Sequence, residues 1–269
     1  MASLWVCVDV RTGGEISASV GRTTLFSEKP GEPAAVPPAP GTADPADDRQ
    51  EPERIAGAVE EAVSRGGGPG AGSPEGVLLA LPDGWFRVAL ATPEGKGAHR
   101  RVAEYARWKV LSDWGISEED ALYDWQRVSP LWERKKRILI VAAERQAVLR
   151  LTVDGAIAGL PVALVLPRSL AAWNGSSAFA PGNGLRGSVL EDAGAFTFFG
   201  TDGGGLRYVR SRACSDLEER DAEIAETARH FEETLGAPAG AVAIEVREAE
   251  SRAAFRGLLR HPLVSGVFA

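Results

Sequence analysis

The stretch "VCVDVRTGGEISASVG", residues 6–21, decides the fold. An apolar run ends at Asp9, a Gly-containing turn follows at Gly13 and Gly14, and a second alternating run begins at Ile16. That pattern predicts a β-hairpin with an acid at the tip of its first strand. The unit recurs at residues 188–213, "SVLEDAGAFTFFGTDGGGLRYVRSRA", where Asp192 takes the place of Asp9 and a tight turn is expected at "DGGG". A helix and a strand follow both copies. The chain therefore reads as a duplicated α/β unit with a cleft between the copies, Asp9 and Asp192 converging on one point. An acid beside glycines can hold a phosphate and its metal ion. It can equally cap a tight turn.

Outward from these hairpins, helical and strand periods alternate. Residues 28–51, rich in Pro, Ala and acid, are expected to form a mobile loop without a packed core. Pro52 suits a first helical turn, and Ile55, Val59, Ala62 and Val63 then share a face. Strands are predicted at 77–82 and 85–93. A helix over 99–114 places Val102, Ala106, Val110 and Trp114 on one face. Two strands follow at 120–128 and 137–144, then a helix over 144–158 with Leu149, Val153, Ala156 and Ile157 inward and Gly159 as its stop. "VALVLPRSLAAWN" predicts a strand leading into a short helix. A long amphipathic helix carries Leu217, Ile224, Ala228, Phe231 and Leu235 and ends at Gly236, and a strand at 241–247 and a helix at 250–260 complete the pattern.

Composition narrows the function. The net charge of the 269 residues is −7, which argues against nucleic acid as a partner. The densest basic run, "ERKKR" at 133–137, sits between two predicted strands and reads as a solvated turn. Two cysteines, Cys7 and Cys214, make no disulfide framework, and the histidines at 99, 230 and 261 have no metal-ligand spacing. No signal-peptide pattern and no apolar run of about 18 residues occurs, so the expectation is a cytoplasmic protein that reaches a membrane through a partner rather than by insertion. No nucleophile elbow, Walker A or dinucleotide fingerprint is present.

Taken in order, these segments resemble the actin-like ATPase superfamily, and within it the PilM branch, related to FtsA and to the cytoplasmic part of GspL. "VCVDVRTGGEIS" resembles the family's first phosphate hairpin and "VLEDAGAFTFFGTDGGGLRYVR" its second. "VLLALPDGWFRVALATP" is similar to the strand pair leading into the inserted 1C-type subdomain, and "VAEYARWKV" with "ALYDWQRV" to that subdomain's helix and strand. "ILIVAAERQAVLRLTVDGAIAGLPVALVLPRSLAAWN" is the strongest match. The resemblance implies an α/β, ribonuclease H-like fold of duplicated βββαβα units. Its first, 1A-type domain would take residues 1–93 and 160–187, the 1C-type insertion 94–159, and an abbreviated 2A-type domain with little or no 2B part 188–269.

The departures from the family pattern concern the nucleotide. The family's first motif runs from the acid through Ile or Val to glycine and then small hydroxyl residues; here Asp9 and Val10 are followed by Arg11 instead of the glycine. Glycine lets backbone N–H groups approach phosphate; an arginine side chain fills that space. The second motif, Asp192 to Thr197, fits better, but Phe196 and Phe198 make it apolar. The late Gly-Gly turn that cradles adenosine is missing after "AVAIEV".

The resemblance thus implies a scaffold without a cofactor and without catalytic residues, in a type IV pilus or type II secretion inner-membrane platform. It would bind the N-terminal peptide of a PilN-like membrane protein beside other platform proteins. Trp85, Tyr105, Trp108 and Trp125 are the candidate partner-binding residues, since aromatics dominate interface hot spots, although each also fits a half-buried spacer. The competing expectation is an active ATPase. Asp9 and Asp192 would hold Mg²⁺ through water while Gly13, Gly194 and Thr197 cradle ATP phosphates. A stand-alone adaptor docking through the acidic loop is a third.

Overall fold

A computed structural model describes residues 3–11, 15–23, 28–30, 34–35, 51–66, 72–93, 101–128, 137–152, 155–175, 184–192, 195–203 and 205–260. Contacts divide the chain into two compact units. The first comprises residues 1–82, 146–177 and 249–269, the second 83–145 and 178–248.

In the first unit, β1 (Ser3–Val10) pairs antiparallel with β2 (Ile16–Thr23), so the opening hairpin forms as predicted. Two short strands, β3 (Glu28–Pro30) and β4 (Ala34–Ala35), add to the far side of β2. Part of the segment expected to be a loop therefore extends the sheet; residues 31–33 and 36–50 lie outside the described residues. Helix α1 (Glu51–Gly66) starts with Pro52 in its first turn and buries Ile55, Ala58, Val59 and Ala62. Strand β5 (Gly76–Leu81) returns parallel to β1, buried along its whole length. Val6, Cys7, Val8, Asp9 and Val10 are all buried, so β1 is covered on both faces, as a central strand flanked by β2 and β5 must be. The two cysteines are free thiols, and burial pushes that of Cys7 up.

The second unit holds the other hairpin. After a 3₁₀ turn at Asp83–Trp85, β6 (Phe86–Ala91), β7 (Ala121–Arg127) and β8 (Ile138–Glu144) form a small sheet in the order β6-β8-β7. Helix α2 (Val102–Asp113) packs Val102, Ala106 and Val110 against Ala121, Ile138, Ile140 and Ala142 of this sheet. Of the basic run, Arg137 is described, and it is buried at the start of β8 rather than solvated in a turn.

Helix α3 (Arg145–Leu149) is much shorter than the predicted 144–158. The chain turns at Leu151 and Thr152, whose N–H groups donate to Val148 and Leu149. It resumes as β9 (Ala156–Ile157), paired antiparallel with β10 (Leu160–Pro167) in the first unit. β-Branched Thr152 and a glycine at 155 weaken helix continuation. Gly159 is thus not a helix stop but the second central residue of a two-residue hairpin turn, with φ of 50° at Ala158 and 75° at Gly159. β10 lies parallel to β5 and runs straight into α4 (Arg168–Gly175).

The second hairpin is the meander β11 (Leu185–Asp192), β12 (Ala195–Asp202) and β13 (Gly205–Ala213). Helix α5 (Leu217–Leu235) follows, capped by Asp216 accepting from the Glu219 N–H and stopped by Gly236 at φ 66°. Its buried residues are Ile224, Thr227, Ala228, Phe231 and Glu232; Leu217 and Leu235, predicted to face inward, are its first and last residues and are exposed. Phe231 reaches the sheet at Gly200, where any Cβ would come within 2.8 Å of its ring. Phe196 and Phe198 belong to this core, which explains their presence in the hairpin. Strand β14 (Ala243–Glu248) then pairs parallel with β11, giving the order β13-β12-β11-β14. Helix α6 (Ser251–Arg260) belongs to the first unit, packed against α4 and the β1-β2-β5 sheet, whereas the sequence division put it with the second half.

The pattern strand–strand–strand–helix–parallel strand therefore occurs twice. The left-handed conformation of Ala158 carries a cost of roughly 1–2 kcal/mol for a residue with a Cβ. Ala158→Asn is expected to stabilise the protein by up to about 1 kcal/mol in urea denaturation, and Ala158→Val to destabilise it by about 1 kcal/mol.

Candidate functional site

Asp9 sits one residue from the end of β1, a central strand of the first unit, and none of its side chain reaches solvent. A carboxylate there must be neutralised and hydrogen-bonded, because an isolated buried charge costs far more than a fold can supply. The chain provides the partners itself. Arg168, first residue of α4 and 1% exposed, donates from Nε to Asp9 Oδ1 at 2.8 Å and from Nη2 to the carbonyl of Ala249. Ser251, first residue of α6, donates from Oγ to Asp9 Oδ2 at 2.5 Å.

Arg11 closes the outer side of this cluster. Its N–H donates to the Glu15 carbonyl, Nη1 donates to Glu15 Oε2 at 3.0 Å, Nη2 to Ser251 Oγ at 3.1 Å, and Nε lies 3.9 Å from Asp9 Oδ2. Burial pushes the Asp9 carboxyl above its ordinary value, while Arg168, Ser251 and Arg11 pull against that push. Arg168 and Asp9 thus form an ion pair whose two side chains are both buried.

The remaining candidate phosphate residues divide between two situations. Gly13 and Gly194 lie outside the described residues. Asp192 is the buried last residue of β11 in the second unit. Thr197, in β12 of the same unit, donates from Oγ1 to Asp83 Oδ2 at 2.6 Å and shares a hydrogen bond of 2.8 Å with Ser211 Oγ. Its hydroxyl ties β12 to the 3₁₀ turn and to β13.

The aromatic candidates belong to the β6-β8-β7 module and its flank. Tyr105 and Trp125 are half-buried against the α2–sheet core, as are Trp114 and Tyr123. Trp108 is 56% exposed and touches Tyr105, their ring centroids 5.8 Å apart. Trp85 is half-buried in the 3₁₀ turn and is not among the residues packed on that core. Ion pairs flank Trp108, between Arg107 and Glu118 and between Lys109 and Asp113.

Arg168, Ser251 and Asp83 were not among the residues singled out from sequence. Arg168 had a signal: it is a lone charge between "VALVLP" and "SLAAW". A cation inside an apolar run of that kind needs a buried carboxylate, and Asp9 is one.

Removing Arg168 strands that carboxylate. Arg168→Ala is expected to cost about 3–5 kcal/mol in urea denaturation. Asp9→Leu combined with Arg168→Met is expected to cost less than the sum of the single variants, by about 1–3 kcal/mol.

No protein-family model and no curated protein matches the sequence. Solved structures do. A chain of a PilM–PilN type IV pilus biogenesis complex matches with a TM-score of 0.57 at 15% identity, over 86% of this chain and 71% of that one. The cytoplasmic domain of EpsL, an inner-membrane component of the type II secretion system of Vibrio cholerae, matches with a TM-score of 0.53 at 13% identity over 100% of both chains. A Bacteroides thetaiotaomicron protein of actin-like ATPase fold and unknown function reaches a TM-score of 0.48 at 10% identity, over 91% and 81%. At such identities the two likenesses with TM-scores above 0.5 speak for the fold alone, and the twice-repeated hairpin–helix–strand pattern agrees with them: the chain has an α/β, actin-like fold, shared with the PilM–PilN complex chain and the EpsL cytoplasmic domain.

Proposed function

We propose that this chain is a scaffold of a type IV pilus or type II secretion inner-membrane assembly that works without nucleotide. The carrying observation is that Asp9 is fully buried and each of its oxygens already takes a donor from the chain itself. A metal held through water at that carboxylate needs free oxygen lone pairs facing a solvated space. Both oxygens instead accept from Arg168 and Ser251, with Ala249 holding the same guanidinium from the other side. Thr197, the hydroxyl candidate for a phosphate contact, is likewise committed to Asp83 and Ser211. Nothing in these contacts favours the competing ATPase reading.

The fold likeness supports the choice of apparatus, since one matching structure is a PilM–PilN complex and the other an inner-membrane secretion component. None of the described helices is long and apolar enough to cross a membrane, which fits attachment through a partner at the cytoplasmic side. The subdomain assignment is part of the proposal, with its boundaries moved to follow the contacts: β1 to β5, β9, β10, α4 and α6 as the 1A-type domain, β6 to β8 with α2 as the 1C-type insertion, and β11 to β14 with α5 as an abbreviated 2A-type domain.

The partner is a short N-terminal segment of a PilN-like membrane protein, and its anchor is Trp108 with Tyr105 beneath it. A large exposed indole on a rigid helix loses little entropy when covered, which makes it a strong hot-spot candidate. Trp125 and Tyr123 stiffen the surface below. The test is a tryptophan-fluorescence titration with a synthetic peptide of the first residues of the PilN-like protein from the same organism. Saturable binding is expected, and Trp108→Ala, at an exposed site, is expected to weaken it about tenfold or more. No binding by the folded protein, or equal binding by the variant, would contradict the proposal.

A further inference from the structure

Strand β14 holds the same topological place in the second unit as β5 does in the first, parallel to the strand that carries the hairpin acid. The two strands differ completely in burial. β5 is buried at all six residues, with β1 on one side and β10 on the other. β14 is exposed at all six, with β11 on one side and, among the described residues, no strand on the other. Its backbone donors and acceptors on that outer edge form an open template for pairing. Ile244 and Val246, alternate residues on one face, are 44% and 48% exposed. The other face carries Glu245 and Arg247, which pair with each other along the strand.

Charges on an edge strand usually discourage pairing. Here their order does the reverse for one partner. When "AIEVRE" meets itself antiparallel about a two-fold axis at Val246, Glu245 falls opposite Arg247 of the other copy, and Arg247 opposite its Glu245. Val246 meets Val246, while Ile244 falls opposite Glu248 of the other copy. Moving the axis to Glu245 or to Arg247 sets like charges against each other. An odd shift turns the apolar face of one copy against the charged face of the other. One register is therefore favoured by charge.

We propose that β14 is a self-association edge, through which a second copy of this chain pairs antiparallel to give one sheet running across a two-fold dimer. Each half-sheet has four strands, so the dimer sheet has about eight, within the range of open sheets. A five-residue overlap buries little area, so the dimer is weak and forms at high local concentration, the condition met when many copies are held at one assembly.

Sedimentation equilibrium of the whole chain up to about 1 mM tests this, with charge variants as probes at exposed sites. Wild type is expected to show a monomer–dimer equilibrium. Glu245→Arg and Arg247→Glu each turn two attractive pairs into two repulsive ones and are expected to weaken dimerisation about tenfold or more. The double swap, Glu245→Arg with Arg247→Glu, is expected to restore it, which a variant that merely misfolds could not do. A wild type monomeric throughout, single variants that dimerise as well as wild type, or a double swap that fails to recover would each overturn the proposal.

Discussion

The ion pair between Asp9 and Arg168 fixes much of the first unit. β1 is covered on both faces, so a carboxylate near its end has no access to water and must be matched from within. Arg168 matches it from the first turn of α4, and its second arm takes the carbonyl of Ala249 just before α6. Ser251, at the start of α6, takes the other carboxylate oxygen. One buried acid thereby joins the hairpin strand, the helix after β10 and the last described helix. Such a pair is a poor source of net stability compared with an apolar replacement, but breaking half of it is costly, so it specifies which elements meet.

The same contacts bear on function. In the actin-like frame the hairpin acid is the natural place to meet a nucleotide's metal, and here the chain's own guanidinium sits on it. Arg11, which replaces the small residue expected after the acid, does not point outward as an anion receptor. It bonds Glu15 and Ser251 and lies against Asp9. The second hairpin shows a parallel substitution of roles, since Thr197 binds Asp83 and Ser211, and Phe196 and Phe198 serve the core beneath α5. Both hairpins serve as architecture here, and the proposed partner surfaces lie elsewhere, at Trp108 on α2 and along the outer edge of β14.

Much of this frame was legible in the sequence because period and punctuation agree there. The two hairpins, α2 with its Val102–Ala106–Val110 face, and the Gly236 stop of α5 follow from local pattern alone. Three features escaped because something beyond the period of a single element decides them. The apolar spacing through Leu149, Val153 and Ile157 fits a helix, but pairing of β9 with β10 wins over it once Ala158 and Gly159 close a hairpin turn. Leu217 and Leu235 fit the apolar period of α5 but are its first and last residues and stay exposed. The partners of Asp9 are 159 and 242 residues away in the chain, beyond any local pattern. Only the lone charge of Arg168 in an apolar run hinted at them.

In the proposed reading Arg168 and Ser251 occupy Asp9 and the fold works without nucleotide. Thermal unfolding with and without about 5 mM ATP and Mg²⁺ addresses it most directly, because a ligand that binds the folded state with a dissociation constant near 50 μM would add about 2.7 kcal/mol at that concentration. The account predicts an unchanged melting temperature. A rise of several degrees that depends on both ATP and Mg²⁺ would contradict it.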